Sequence, residues 1–289
     1  MTVSSDFSEV IPSEEIEQMV LDANLATPIA ISLAWSRVVG RGRGNNVRIP
    51  SRSGLTVPAG TKVENADFSL VSQTTTDVGI SGGYVGLADE LSSELEHDAT
   101  VDAVREIIEN ASAHIQDRAD ADGLALLATT TNDSDFGANP LTDANILTAL
   151  AAYVQQNPNK TPAGMGLVLN AVQVRDYGLD LRTNGGGQIG GDAESERVAS
   201  MLGNRQGFLG VRHGLQTFMS NNVDVTGGIA SGAILTLGTG GALAYRLWEP
   251  IGVETRRLPR GKKWELTIAA RYGWALSKQA NIRGIQSNG

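Results

Sequence analysis

Residues 40–62 read GRGRGNNVRIPSRSGLTVPAGTK, and the rest of the chain is organised around what this stretch can and cannot do. Five glycines, two prolines and five basic residues share it, with no acid. Glycine and proline at that density break helical periodicity, and Val47-Arg48-Ile49-Pro50 reads as extended chain. A segment with so little to bury recovers its ordering entropy only through contacts made elsewhere. The sequence therefore predicts an extended basic arm whose partner is another copy of the same chain.

Toward the C-terminus, residues 68–80 (FSLVSQTTTDVGI) are rich in β-branched side chains with partial alternation. With the arm they predict a long exposed two-stranded excursion, which alone is marginally stable in water. Residues 98–127 then place Val101, Val104, Ile108, Ala111, Ile115 and Ala119 at spacings of three and four, one stripe of a long helix. Asp98, Asp102, Glu106, Glu109 and Asp117 project away from it. Asp98 reads as the N-cap and Gly123 as a stop or kink. At 1.5 Å per residue such a helix spans roughly 40 Å.

On the N-terminal side, Ser13 followed by Glu14 and Glu15 predicts a short helix to about Ala23. Past residues 132–135, read as a loop, comes a helix over 141–156 capped by Thr142 or Asp143. A buried strand over 166–170 and a helix over 171–178 follow, an α/β order. Residues 183–192 (TNGGGQIGGD) read as a loop. Strands are expected within 208–225 and 234–245. Two or three more alternate over 246–254 and 264–285, joined by a turn at 259–262.

The chain has 289 residues, no cysteine and a net charge of −9. Disulfides, thiolate chemistry and cysteine-ligated metals are excluded together. No run nears the eighteen or so apolar residues of a membrane helix, and the acidic start is unlike a signal peptide, so a cytosolic chain without membrane contact is expected. Charge is sorted along the sequence: −6 over residues 1–24, +6 over 25–62, −15 over 63–143 and +6 over 144–289. Such asymmetry steers association. It points to contacts between subunits carried by Arg37, Arg41, Arg43, Arg48, Arg52 and Lys62 on one side and Glu14, Glu15 and Glu17 on the other; a basic, solvated loop is the plainer alternative.

Motifs of chemistry are weak. Gly185-x-Gly187-x-x-Gly190 matches the dinucleotide fingerprint in letters but lacks its preceding strand and following helix. His97, His114 and His213 lie far apart with no metal spacing, and His114 sits three residues from Asp117, which reads as a local surface pair. No Gly-x-Ser-x-Gly elbow occurs. The Gly40–Gly44 run resembles a nucleic-acid-binding RG element but has no interleaved aromatic. No catalytic, cofactor or metal residue is assigned, and no cofactor is expected.

The order of arm, hairpin, long helix and closing strands resembles the tailed-bacteriophage major capsid protein family, the Hong Kong ninety-seven fold shared with encapsulin shells. The resemblance implies an α+β fold divided into an N-terminal arm (1–37), an extended β-hairpin loop (38–86), a peripheral domain with its spine helix (87–138), an α/β axial domain (139–240) and peripheral closing strands (241–289). Val168-Leu169-Asn170 and Gly210-Val211-Arg212-His213-Gly214 resemble the axial core strands. It further implies a structural, non-enzymatic coat protein that self-assembles through pentamers and hexamers into an icosahedral shell around double-stranded DNA. Implied partners are separate scaffolding, portal and decoration proteins, with DNA held by confinement. The place would be the virion capsid, built in the host bacterial cytoplasm. A few members cross-link lysine to asparagine; Lys62 and Asn281 are the letters available here. Two rival readings stand beside this one: an encapsulin-like nanocompartment shell, with a cargo groove near residues 14–21, and a soluble α/β ligand-binding enzyme using the glycine loop as a lid.

Overall fold

The computed structural model describes residues 28–39, 44–52, 75–92, 101–157, 164–184, 207–238, 240–258 and 263–288. Two sheets organise them. The first is built on a long antiparallel pair, β11 (Leu243–Leu258) and β12 (Lys263–Leu276). β4 (Gly83–Ser92) adds antiparallel to β12, and the short β1 (Trp35–Val38) adds parallel to β11. Along β12, Leu266, Ile268, Ala270 and Tyr272 are all buried while the residues between them are half-buried, the period of two that fixes which face meets the core.

Helix α2 (Val101–Ala125) lies against that face, with helix α1 (Ile29–Leu33) beside it. At 25 residues α2 runs about 38 Å. Four residues of its predicted stripe, Ile108, Ala111, Ile115 and Ala119, are buried, and the side chains of the other two, Val101 and Val104, lie outside the described residues. Gly123 does not stop the helix. A Cβ there would come within 2.8 Å of both Ala30 and the Trp274 ring, so the glycine permits close packing inside the helix. The Asp98 cap lies outside the described residues.

The second sheet has seven strands in the order β5-β13-β10-β6-β8-β7, with β9 (Val225–Thr226) on β10. β6 (Met165–Leu169), β7 (Phe208–Arg212), β8 (Leu215–Met219), β10 (Ile229–Thr236) and β13 (Ile282–Asn288) form its body, and β6 runs parallel to β8. Helices α3 (Asp143–Gln156) and α4 (Ala171–Thr183) cover one face. In β6, Leu167 and Leu169 point to these helices and Val168 to the other core. One hydrophobic core thus lies between the sheets, around α1 and α2, and a second lies under α3 and α4.

Several expectations change. The residues read as a loop at 132–135 include β5 (Asp133–Asp135), parallel to β13, with Asn132 Nδ2 donating to the Gln279 carbonyl at 2.8 Å. α4 continues five residues past the predicted end at 178, started by a reciprocal capping box between Asn170 and Gln173. Of α3's candidate caps, Thr142 serves, accepting the Asn145 N–H at 3.3 Å. The closing strands do not stay together. β11 and β12 belong to the four-stranded sheet, whereas β13 crosses to pair with β10 and β5 after the 3-10 turn Gln279–Asn281. The predicted turn at 259–262, the N-terminal helix and the glycine loop over 185–192 lie outside the described residues.

Candidate assembly interface

The basic arm enters the structure as a two-stranded sheet, β2 (Asn46–Arg52) antiparallel to β3 (Thr75–Ser81). Ile49 and Ile80 are buried and, with Val78, pack on Trp35, Trp248, Ala244 and Ala275 of the first sheet. Glycine makes the seating close. A Cβ at Gly273 would stand 2.3 Å from the Ser81 carbonyl oxygen, and one at Gly82 would stand 2.7 Å from the Trp248 ring.

Polar contacts fix the same root. Trp248 Nε1–H donates to the Gly44 carbonyl at 2.9 Å, and the Gly82 N–H donates to the Asn45 carbonyl at 3.0 Å. Arg271 Nη2 donates to Asn45 Oδ1 at 2.5 Å, and its guanidinium lies 4.9 Å from the Tyr84 ring centroid. Glu249 closes the set, 3.5 Å from Arg271 Nη1 and accepting the Tyr84 hydroxyl at 3.0 Å. Arg271 is opposite Tyr84 in one register and opposite Glu249 in the other, so β4, β12 and β11 align the three side chains. Register shifts on either side of Glu249 bend β11 at Pro250. A groove of about 910 Å³ lies beside this bend.

On β11, beside β1, Arg246 is buried with its guanidinium 4.7 Å from the Trp35 ring centroid, donating to the Trp35 and Tyr245 carbonyls at 2.8 Å each. Burial, and then neighbouring Arg37, push its pKa down. The outer edges of β1 and β4 carry no partner strand among the described residues. Tyr84 and Leu87 on β4 are 66% and 47% exposed, and Val38 on β1 is 67% exposed. A ten-residue edge of this kind is a template for pairing with another chain.

Of the residues assigned to subunit contacts, Arg37 is exposed on β1 and Arg48 lies on β2, 4.0 Å from Asp77 across the hairpin. Arg52 falls at the end of β2. Arg41, Arg43, Lys62, Glu14, Glu15 and Glu17 lie outside the described residues, as does His97. The outward face of α2 carries Arg105–Glu109 and Arg118–Asp122 pairs at 2.8 and 3.0 Å. Asp117 accepts the Asn222 amide at 2.8 Å. Asn281 is buried, donating to the Gly240 carbonyl at 2.8 Å, so its amide is already engaged within the subunit.

Sequence reasoning missed Tyr84, Trp248, Glu249 and Arg271, which meet only through strand register. It also missed a cluster at the start of α3. Asp143 Oδ1 lies 2.7 Å from His213 Nε2 and accepts the Tyr177 hydroxyl at 3.0 Å. His213 has φ of 53°, beside Gly214 at 76°, which makes the tight β7–β8 turn. Among the described residues no three His, Asp or Glu side chains converge to hold a metal.

No family model and no curated protein matches the sequence. Solved structures do match. A Mycobacterium phage Che8 protein is similar at 17% identity and TM-score 0.60, over 84% of this chain and 85% of that one. A capsid structure of cyanophage P-SCSP1u gives 12% and 0.64 over 91% and 89%. The chain has the phage capsid fold. The same capsid fold links the chain to the encapsulin of Synechococcus elongatus, at 11% identity and TM-score 0.63 over 88% and 85%.

Proposed function

We propose that this chain is the major capsid protein of a tailed phage, self-assembling into an icosahedral shell around double-stranded DNA in the bacterial cytoplasm. The carrying observation is the capsid fold over about nine-tenths of the chain. The geometry supports it. Among the described residues, the two-stranded hairpin leaves Thr76 and Asp77 exposed and the ten-residue β4 has one edge with no partner strand, and such elements gain affinity through repetition once neighbours are fixed. Pentamers and hexamers are the assembling units, with scaffolding, portal and decoration proteins supplied separately. The role is structural, without catalysis, and DNA is held by confinement, since acidic surface repels phosphate.

Particle mass and negative-stain appearance of the chain expressed alone, at low and moderate salt, test the proposal. Closed shells, or rings that close when conditions change, are expected. A monomer under every condition, with and without co-expressed phage scaffolding protein, overturns it. A nanocompartment is the second reading, favoured by the encapsulin likeness. Shells that capture a host protein and no DNA would select it.

A further inference from the structure

A two-residue turn joins β7 to β8, since Arg212 pairs with Leu215 and only His213 and Gly214 lie between them. Both have positive φ, 53° and 76°, the geometry that asparagine and glycine ordinarily supply. Among the described residues His213 is the one non-glycine in that region of backbone. A residue persists in such a conformation where its surroundings hold it there. The hold here is Asp143, the first residue of α3, whose Oδ1 lies 2.7 Å from His213 Nε2. We propose that His213 is a proton-controlled latch, holding the β7–β8 turn to α3 more firmly when its imidazole is protonated than when it is neutral.

An ionised carboxylate only accepts, so Nε2 carries a hydrogen in both states, and the proton that comes and goes sits on Nδ1. The bond to Asp143 is therefore neutral at the imidazole on the alkaline side, and on the acid side it becomes charge-assisted at both ends. Histidine is the side chain that ordinarily changes charge between about pH 5 and about pH 8. Asp143 stays ionised across that window, because, against burial, hydrogen bonds from His213 and Tyr177 and the charges of His213 and Arg212 hold its carboxyl below the ordinary 3.8. The elements around the imidazole contribute the other titratable and charged groups. From α4, the Tyr177 hydroxyl donates to the same Asp143 oxygen at 3.0 Å, and Asp180 Oδ2 accepts the Asp143 N–H at 2.8 Å. From β7, Arg212 places a second positive charge near Asp143, while β8 (LQTFM) has no titratable side chain. Such a latch matters because little else restrains β7. Among the described residues it is the outermost strand of its sheet, five residues long, with a register shift between Phe208 and Gly210. The inference goes beyond shell formation and does not depend on it.

Amide hydrogen exchange of the full-length protein tests the latch, read by mass in peptides covering residues 208–214 and corrected for the intrinsic effect of pH on exchange. Corrected exchange there should be severalfold faster at about pH 8 than at about pH 6, while peptides from α2 keep one rate. His213→Gln retains an N–H for Asp143 and takes up no proton. His213→Gly removes the latch and suits the positive φ of the turn, so it preserves the fold even if the glutamine variant does not. In both variants the corrected rates at the two pH values should be equal. Equal rates in the parent protein overturn the proposal, and so does a pH difference that survives in His213→Gly, which would place the titrating group elsewhere.

Discussion

Two buried or half-buried carboxylates at the residue scale respond to pH in opposite directions. Asp120 accepts the Ala30 N–H at 2.7 Å and the Asn222 amide at 3.1 Å, tying α1 and the β8–β9 connection to α2. Burial pushes its carboxyl above the ordinary 3.8, against the pull of those hydrogen bonds. A carboxyl raised in the folded state contributes stability below its unfolded pKa that is lost as pH rises through the folded value. Asp120→Asn should therefore gain on the parent between about pH 3 and about pH 7 in urea titrations. Asp120→Ala, which strands the Ala30 N–H, should cost about 1–3 kcal/mol at both. At Asp143 burial also opposes ionisation, but hydrogen bonds from His213 and Tyr177, with the charges of His213 and Arg212, outweigh it and hold the carboxyl below its ordinary 3.8. Its contribution is present above that unfolded value and is lost as pH falls through the folded one. Asp143→Asn should be most damaging near neutrality, with the deficit shrinking toward about pH 3; a pH-independent deficit would contradict the assignment.

Elements differ in how much of them a local reading can supply, and the glycines show why. Helix α2 was legible because its stripe repeats every three or four residues, and the extended strand over Val47–Pro50 because the glycines before it break helical periodicity; that Ile49 would be buried against the first sheet was not. Trp248, Arg271, Tyr84 and Glu249 were not legible, since they meet through the registers of three strands, with Tyr84 and Arg271 paired across 187 residues of sequence. Gly273 looks like any strand glycine until its closeness to the Ser81 carbonyl is seen. Gly273→Ala should cost about 1–3 kcal/mol, because the clash is with backbone that cannot rotate aside. Gly178, inside α4 with open space for 4 Å around the position an alanine methyl would take, gives the contrast: Gly178→Ala should stabilise by about 0.5–1 kcal/mol in the same denaturation assay. Trp248→Ala removes the ring under Gly82 and the donor to Gly44. A subunit with unchanged circular dichroism that no longer closes shells is expected, and normal shells would show that the hairpin root does not govern assembly.

For the whole molecule, the decisive question is whether two sheets mean two independently stable units. The core answers it. Val168, Phe218, Ala233, Leu235 and Ile282 of the seven-stranded sheet share one buried cluster with Tyr245, Leu266, Ile268 and Tyr272 of the four-stranded sheet, with α1 and α2 between them. The chain also crosses from sheet to sheet repeatedly, β10 leading into β11 and β12 into β13, so neither sheet closes from a continuous stretch of sequence. Unfolding one sheet would expose the shared cluster on the other, which makes partial opening costly and couples the two. The unassembled subunit should accordingly unfold in one cooperative transition, with tryptophan fluorescence and far-ultraviolet circular dichroism coincident. Phe218, buried at the shared cluster and 5.4 Å from Phe208 between ring centroids, is the place to load the test. Phe218→Ala should remove about 3–5 kcal/mol while the two probes still coincide. If Trp274, in the four-stranded sheet, reports a transition that this substitution leaves in place, the sheets are separable, and rigid coupling across the subunit would have to come from its neighbours in the shell.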